Sequence, residues 1–317
     1  MIPAIDPRAL MSFRAVAEHG SFAAAARELG WTQPALSGQV SRLEESLGAT
    51  LVTRTVKGVQ LTEAGKHLLH HAQIIDGHLA RAAREVAGIV GEGARTVRVV
   101  AFPSACTSIV APAMSELIAR NGDRQGTTIE LEQQEPFAVP ELLRRGAADV
   151  ALVFRYDEHE LAGLEEEFDL IPIGWDPLQL IVSQRRGAGS AHSAHRLVDH
   201  AADRWVAGCV SCRQHFLRIA AREGFTPDIR HATDDYMVVQ ELVARDMSVS
   251  VVPRLSLISY RHPGIRAFGL GERDGRQLMI LVAKDEVRAE VREVLSALRR
   301  AAVRVLDPLP TRRDLAE

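Results

Sequence analysis

Apolar residues return every three or four positions over residues 7–18, at Leu10, Phe13 and Val16-Ala17, which predicts a helix. His19-Gly20 ends it. Ser21 is a candidate N-cap for a second, alanine-rich helix over 22–29, and Gly30 is its stop. Thr32 caps a third helix, with Pro34 in the first turn, where a missing N–H is harmless. Leu36, Val40, Leu43 and Leu47 line one face of it. Small residues on the second helix let the third cross closely, and a three-residue turn containing Gly marks a helix-turn-helix. Leu51-Val52 and Val59 to Leu61 then read as two strands around Lys57-Gly58, a wing. From residue 62 to about 91 the pattern is one long helix, with Leu68, Ile75, Leu79, Ala82, Val86 and Ile89 at helical spacing. A helix of that length with no globular partner in the sequence is expected to pair with a second copy of itself. Residues 91–95, GEGAR, read as a hinge.

Beyond the hinge the period alternates. Strand patterns at 97–102, 128–134 and 149–155 are separated by helical patterns at 107–120 and 139–146. A second run follows: a strand at 205–208, helices over 213–223 and 231–246, strands at 249–253 and 276–283, and a last helix over 286–306. Alternation of this kind suggests an α/β unit with a parallel sheet. Ligands of such sheets sit beyond the carboxyl ends of the strands. That rule selects Ser104, Cys106 and Thr107 in the stretch PSACT (103–107), taken here as a loop whose hydroxyls and N–H groups suit a carboxylate. It also selects Gln134 to Phe137 after the second strand, Arg155 at the end of the third as a partner for an anion or a structural ion pair, Cys209 after the strand at 205–208, and Thr233 at the start of the next helix. Plain capping or solvation would place the same residue types in such loops.

Composition narrows the class. The chain has 317 residues, 46% hydrophobic and 25% charged, with a net charge of -3. That length suggests two or three domains. No basic-then-apolar start resembles a secretory signal, and no apolar run reaches the roughly 18 residues of a membrane span. Three cysteines fit a reducing compartment, so a cytoplasmic protein is expected. Thr32, Gln33 and Ser37 would offer polar tips to base edges, and Arg42, Arg54 and Lys57 would meet phosphate. One count runs against DNA. Residues 1–65 hold six basic side chains (Arg8, Arg14, Arg27, Arg42, Arg54, Lys57) and six acidic ones (Asp6, Glu18, Glu28, Glu44, Glu45, Glu63), so the usual basic footprint is weak. Attraction must come from local placement and from doubling by dimerisation. An ordinary three-helix core with solvated polar faces would show the same spacing.

The N-terminal segment resembles the LysR-type transcriptional regulators. The resemblance rests on F13-x2-V16-A17-x2-G20-S21-F22, A25-A26-x2-L29, T32-Q33-P34-A35-L36-S37, Q39-V40-x2-L43-E44-x2-L47-G48, L51-x2-R54 and L61-T62-x-A64-G65. These motifs cover about the first 65 residues, with weaker matches to about residue 300. The resemblance implies an α/β protein with an N-terminal all-α winged helix-turn-helix at 1–65, a linker and dimerisation helix with hinge at 66–94, and a two-lobed, periplasmic-binding-protein-like effector domain at 95–306. Lobe one would take about 95–174 and 271–306, lobe two about 175–270, and 307–317 would be a loose tail. It implies DNA contact by Thr32, Gln33, Pro34, Ser37, Gln39, Arg42, Arg54 and Lys57, and effector contact in the Ser104, Cys106, Thr107 region. The partners implied are double-stranded DNA, a small-molecule effector, for which a carboxylate is a candidate, and further copies of the chain in a dimer or tetramer. Effector binding would then change lobe closure and the spacing of the DNA-binding heads. The chain departs from the family at Gly38, where a basic residue is common, at Val52, where Phe is usual, and at Asp246 and Ser248, where glycines are usual.

Three other chemistries need weighing. Cys209-Val-Ser-Cys212 is a C-x-x-C, able to exchange thiol and disulfide or to bind metal. On the family frame Cys106 and Cys209 face each other across one cleft, so a redox- or metal-sensing regulator is an alternative. Peroxide-sensing relatives carry redox cysteines in this region at wider spacing, so the match is poor. Cys212-x-x-His215 has no evident orienting third group for a cysteine enzyme. His67 and His71, with His70 and His78 nearby, lack the Cys or carboxylate that would complete a metal shell. No metal, cofactor or catalytic residue is therefore expected. A transporter's solute-binding protein would share the two lobes but would not begin with a winged helix.

Overall fold

The computed structural model describes residues 5–55, 58–90, 95–121, 126–157, 159–186, 196–271, 273–284 and 286–309. By internal contacts the chain divides into two units, 1–94 with 141–147, and 95–140 with 148–317.

In the first unit, α1 (Pro7–His19) begins where the Asp6 side chain accepts the Arg8 N–H, and it stops at Gly20, whose φ is 61°. Ser21 caps α2 (Phe22–Glu28) by accepting the Ala24 N–H, and Thr32 caps α3 (Gln33–Leu47) by accepting that of Ala35. Ala25 and Ala26 of α2 share a buried core with Leu36, Val40 and Leu43 of α3 and with Phe13 of α1. Truncating Phe13 would cost about 3–5 kcal/mol. The wing is β1 (Val52–Thr55) paired antiparallel with β2 (Gly58–Leu61), Val52 opposite Leu61. It is fastened at two places. Glu44 Oε1 accepts the N–H groups of Leu51 at 2.7 Å and Val52 at 3.1 Å. The Val59 N–H donates to the Gly20 carbonyl at 2.8 Å. Gly58 is required there, because a Cβ would lie 2.5 Å from that carbonyl oxygen. The long helix, α4 (Glu63–Val90), starts on Thr62, whose hydroxyl accepts the Gly65 N–H. Leu68, Leu69 and Ala72 join the same core, and Asp76 pairs with Arg14 of α1 at 2.8 Å. Farther along, Ile75, Leu79 and Val86 are 40%, 54% and 59% exposed. Of the expected hinge, residues 91–94 lie outside the described residues, as does Lys57.

In the second unit, β3 (Thr96–Ala101) leads into one unbroken helix made of α5 (Pro103–Ala105), a π-helical turn at Cys106–Val110 and α6 (Ala111–Asn121). There follow β4 (Thr128–Gln133), a 3-10 turn at Pro136–Ala138, α7 (Val139–Arg144), β5 (Val150–Arg155) and β6 (Phe168–Ser183). Then come β7 (Arg204–Ala207), α8 (Val210–Arg222), β8 (Asp228–Ala232), α9 (Tyr236–Ala244), β9 (Ser250–Pro253) and α10 (Leu255–Ser259). β10 (Ile265–Gly269), β11 (Gly275–Ala283) and α11 (Ala289–Val303) finish the unit.

The sheet runs β10-β6-β11-β5-β3-β4, with β9 also paired to β6. β4, β3 and β5 are parallel as expected, but β11 is antiparallel to both β5 and β6. The reason is β6. This 16-residue strand carries the chain from one lobe to the other with no helical crossover, and β11 returns alongside it in the opposite sense. Positions 174 and 175, where the sequence put a lobe boundary, both lie inside β6.

Other local expectations change too. PSACT is helix rather than loop, because Pro103 can open a helix directly after β3. His231 and Ala232 belong to β8, and α9 starts at Tyr236 on an Asp235 cap. Asp307 is not loose: its backbone forms a two-way bridge with Trp175, at 2.9 and 3.0 Å, and its carboxylate pairs with Arg254; 310–317 lie outside the described residues. Asp246 takes the left-handed backbone that glycine adopts most readily, with φ 63°, and pairs with Arg186.

Candidate functional site

Two sites emerge, one in each unit. In the first, the start of α3 is the exposed end of the helix pair. Thr32, Gln33 and Pro34 are exposed, as is Arg42 farther along, while Ser37 and Gln39 are half-buried. Part of this set is already engaged. The Thr32 hydroxyl serves as the cap, and Ser37 Oγ accepts from Arg54 Nη2 at 2.7 Å. The Arg54 guanidinium also lies 4.6 Å over the Phe22 ring. Wing and helix thus present one joined polar edge, with Gln33 the freest base-reading group and Arg54 fixed in direction.

In the second unit, a cleft of about 410 Å³ opens between α5, the end of β4, the start of α9 and α10. Ser104, Thr107, Gln133, Tyr236, Gln240, Ser259 and Tyr260 supply hydroxyls and amides, and Asp234 and Asp235 supply carboxylates. Among the described residues lining it, none is cationic. An anionic effector finds little support in this outer part.

The cation lies deeper. Arg276, fully buried on β11, gives Nε to Asp176 Oδ2 at 3.0 Å and Nη2 to Ser104 Oγ at 2.8 Å. Its guanidinium lies 4.7 Å from the Phe102 ring centre and 4.3 Å from that of Phe154. Asp176 is buried as well, and its Oδ1 accepts the Leu255 N–H. Burial alone would push the guanidinium down, but the Asp176 charge outweighs it and Arg276 stays protonated. Arg276 Nη1 has no hydrogen-bond partner. It borders a small inner cavity with Glu135, Gly208, Cys209 and Cys212.

Of the sequence candidates, Ser104 and Thr107 line the outer cleft and Cys209 the inner cavity. Cys106 does not reach either. Its thiol donates to the Ala101 carbonyl at 3.2 Å within the core, and burial pushes it up to about 11. Cys106 and Cys209 therefore do not face each other across the cleft. Phe137 is 85% exposed on the 3-10 turn and lines neither cavity. Arg155 Nε donates to the amide oxygen of Gln277 on the neighbouring strand at 2.8 Å, a structural contact to a neutral group rather than the ion pair expected as the alternative. The Thr233 hydroxyl accepts the Asp235 N–H ahead of α9, a capping role. Arg276, Asp176 and Tyr236 were not singled out from the sequence, whereas Glu135 lies in the candidate stretch after the second strand. A charged residue opening the apolar strand RQLMILVA was the one available signal.

Comparison with known proteins follows the same division. Residues 7–66 match the family described as bacterial regulatory helix-turn-helix protein, lysR family, and residues 91–303 match the LysR substrate binding domain. The HTH-type transcriptional regulator ShiR of Corynebacterium glutamicum (strain R) is 31% identical over 260 residues, covering 78% of this chain and 82% of that protein. AlsR of Bacillus subtilis (strain 168), also an HTH-type transcriptional regulator, is 26% identical over 258 residues, covering 78% and 80%. The crystal structure of full-length CbnR in complex with its target DNA aligns with a TM-score of 0.63 at 22% identity, over 94% of this chain and 100% of that one. At that identity the structural likeness establishes the fold.

Proposed function

For this chain, which belongs to the LysR family of DNA-binding transcriptional regulators, we propose that α3 and the wing read an operator while the outer cleft senses a small polar molecule. Its DNA contacts are Thr32, Gln33, Pro34, Ser37, Gln39, Arg42, Arg54 and Lys57. The observation that carries the sensing role is the cleft itself: about 410 Å³, lined by hydroxyls and amides. With Asp234 and Asp235 on its wall, it suits an effector rich in hydrogen-bond donors, a polyol or an amine, better than a free carboxylate.

The exposed apolar row Ile75, Leu79 and Val86 on α4 supports pairing of two chains along that helix, in a dimer or a tetramer. Pairing would double the phosphate contacts and match two half-sites. The domain boundaries are 1–65, 66–94 and 95–306. The protein acts by binding rather than by turnover, and its place is the cytoplasm, with the DNA.

Two measurements test this. Selection of duplexes from a random pool at low salt should enrich a sequence with two related half-sites; no enrichment overturns the DNA role. Thermal unfolding of the intact protein against polyols, amines and carboxylates should show one class raising stability by about 2.7 kcal/mol at 100 times its dissociation constant. That gain should vanish in Gln133→Ala and Thr107→Val. A shift that survives both substitutions overturns the cleft assignment.

A further inference from the structure

The second unit carries another cavity, apart from the effector cleft. About 460 Å³ opens where the end of β6, the last turn of α9 and the loop before β10 meet. Gln184 and Arg185 follow β6, Glu241 and Arg245 stand one turn apart at the end of α9, and His262 and Gly264 come from the loop. Ala244 is the one apolar side chain among the described residues that line it.

Some of these groups are committed and others are not. Arg245 gives Nε to Glu241 Oε1 at 2.7 Å. His262 Nδ1 accepts the Gly264 N–H at 2.9 Å, so its Nε2 carries the proton and faces Glu241 Oε2 at 3.1 Å. The Glu241 charge is thus matched by Arg245. The Arg185 guanidinium and the Gln184 amide have no partner among the described residues. Two guanidinium groups therefore face one carboxylate, in a chain whose net charge is -3.

We propose that this cavity is a second ligand site, for the phosphate monoester of a small polyol. The phosphate sits on Arg185, the Gln184 amide and Arg245 Nη1, and the hydroxyls donate to Glu241. A phosphate monoester brings a charge of about -1.5 to -2 and three strong acceptor oxygens, which two guanidinium groups and an amide match. A lone carboxylate would leave donors unused and most of the volume empty. With so little apolar wall, an aromatic or aliphatic body gains nothing by entering.

The site is separate from the effector cleft but joined to it through one residue. Gln240, which lines the cleft with Tyr260, accepts the His262 N–H at 2.8 Å and donates to the Tyr260 carbonyl at 3.3 Å. The loop 260–264 has the cleft on one side and this cavity on the other.

The test is calorimetry of the full-length protein with glycerol phosphate, inorganic phosphate and glycerol. Glycerol phosphate should bind, inorganic phosphate should bind more weakly, and glycerol should not bind. Arg185→Ala should lower the affinity for glycerol phosphate at least about tenfold. Arg185 is exposed and its side chain holds no other group, so this variant should keep the Tm of the parent. Gln133→Ala and Thr107→Val, in the cleft, should leave that affinity unchanged. No heat from glycerol phosphate, an affinity unaltered in Arg185→Ala, or inorganic phosphate binding as tightly as the ester overturns the proposal. Affinity lost in the cleft variants instead also overturns it and moves the ester to the effector cleft. The cleft assignment is tested with other ligands and other variants, so either can fail alone.

Discussion

Arg276 and Asp176 hold each other at 2.9 Å with side chains 0% and 1% exposed. Neither can find water if the other is removed. Asp176→Ala should therefore destabilise the second unit by about 3–5 kcal/mol, read from its urea transition. Replacing both, Asp176→Leu with Arg276→Met, should recover most of that loss, since no charge is then stranded. A single substitution as mild as the double one would show that solvent reaches the pair.

Gly58 sets the position of the wing. In Gly58→Ala the new carbon would meet the Gly20 carbonyl at 2.5 Å, and the Val59–Gly20 hydrogen bond would have to open. A cost of about 1–3 kcal/mol in the first unit is expected. DNA retardation should weaken along with it, while the thermal response to effectors stays unchanged.

Arg54 is braced by Phe22 and Ser37, so its direction is set before any DNA arrives. As a phosphate ligand, its loss in Arg54→Ala should weaken all duplexes alike and lower the slope of log affinity against log salt by about 0.9. A change confined to one base position would reassign it to base reading.

His215 gives the protein an acid limit. Burial, helped by the Arg218 charge, lowers this imidazole to about 4, and it stacks on Tyr156 with centroids 4.0 Å apart. Unfolded, it takes up a proton near 6.5. The unfolded chain therefore binds more protons between about 6.5 and 4, and stability should fall as pH drops through that window. His215→Gln should flatten the fall; an unaltered profile would place its cause elsewhere.

The helix pair was legible because its signals are local. Ser21, Thr32 and Gly20 act on N–H and carbonyl groups within a few residues. The inner site was not, because its contacts are distant. Arg276 meets Asp176 across 100 positions and Ser104 across 172. Cys106 went astray for another reason. PSACT reads as a loop open to ligand, whereas the chain is helical from Pro103 and the Cys106 thiol turns back onto the Ala101 carbonyl in the core. The strand β6 was missed because its Gly-Trp-Asp-Pro centre reads as a turn, whereas Gly174 sits at a bulge with φ 148° and β11 holds the residues after it in register.

That continuous strand makes the two lobes parts of one spring. A free linker would let them drift through many orientations. The strand is hydrogen-bonded throughout with one bulge beside Gly174, where an added Cβ would lie 2.7 Å from Leu306 Cβ and 3.0 Å from the Asp307 carbonyl oxygen. At the same place the Trp175–Asp307 bridge fastens the chain after the last helix to the middle of the strand that both lobes share.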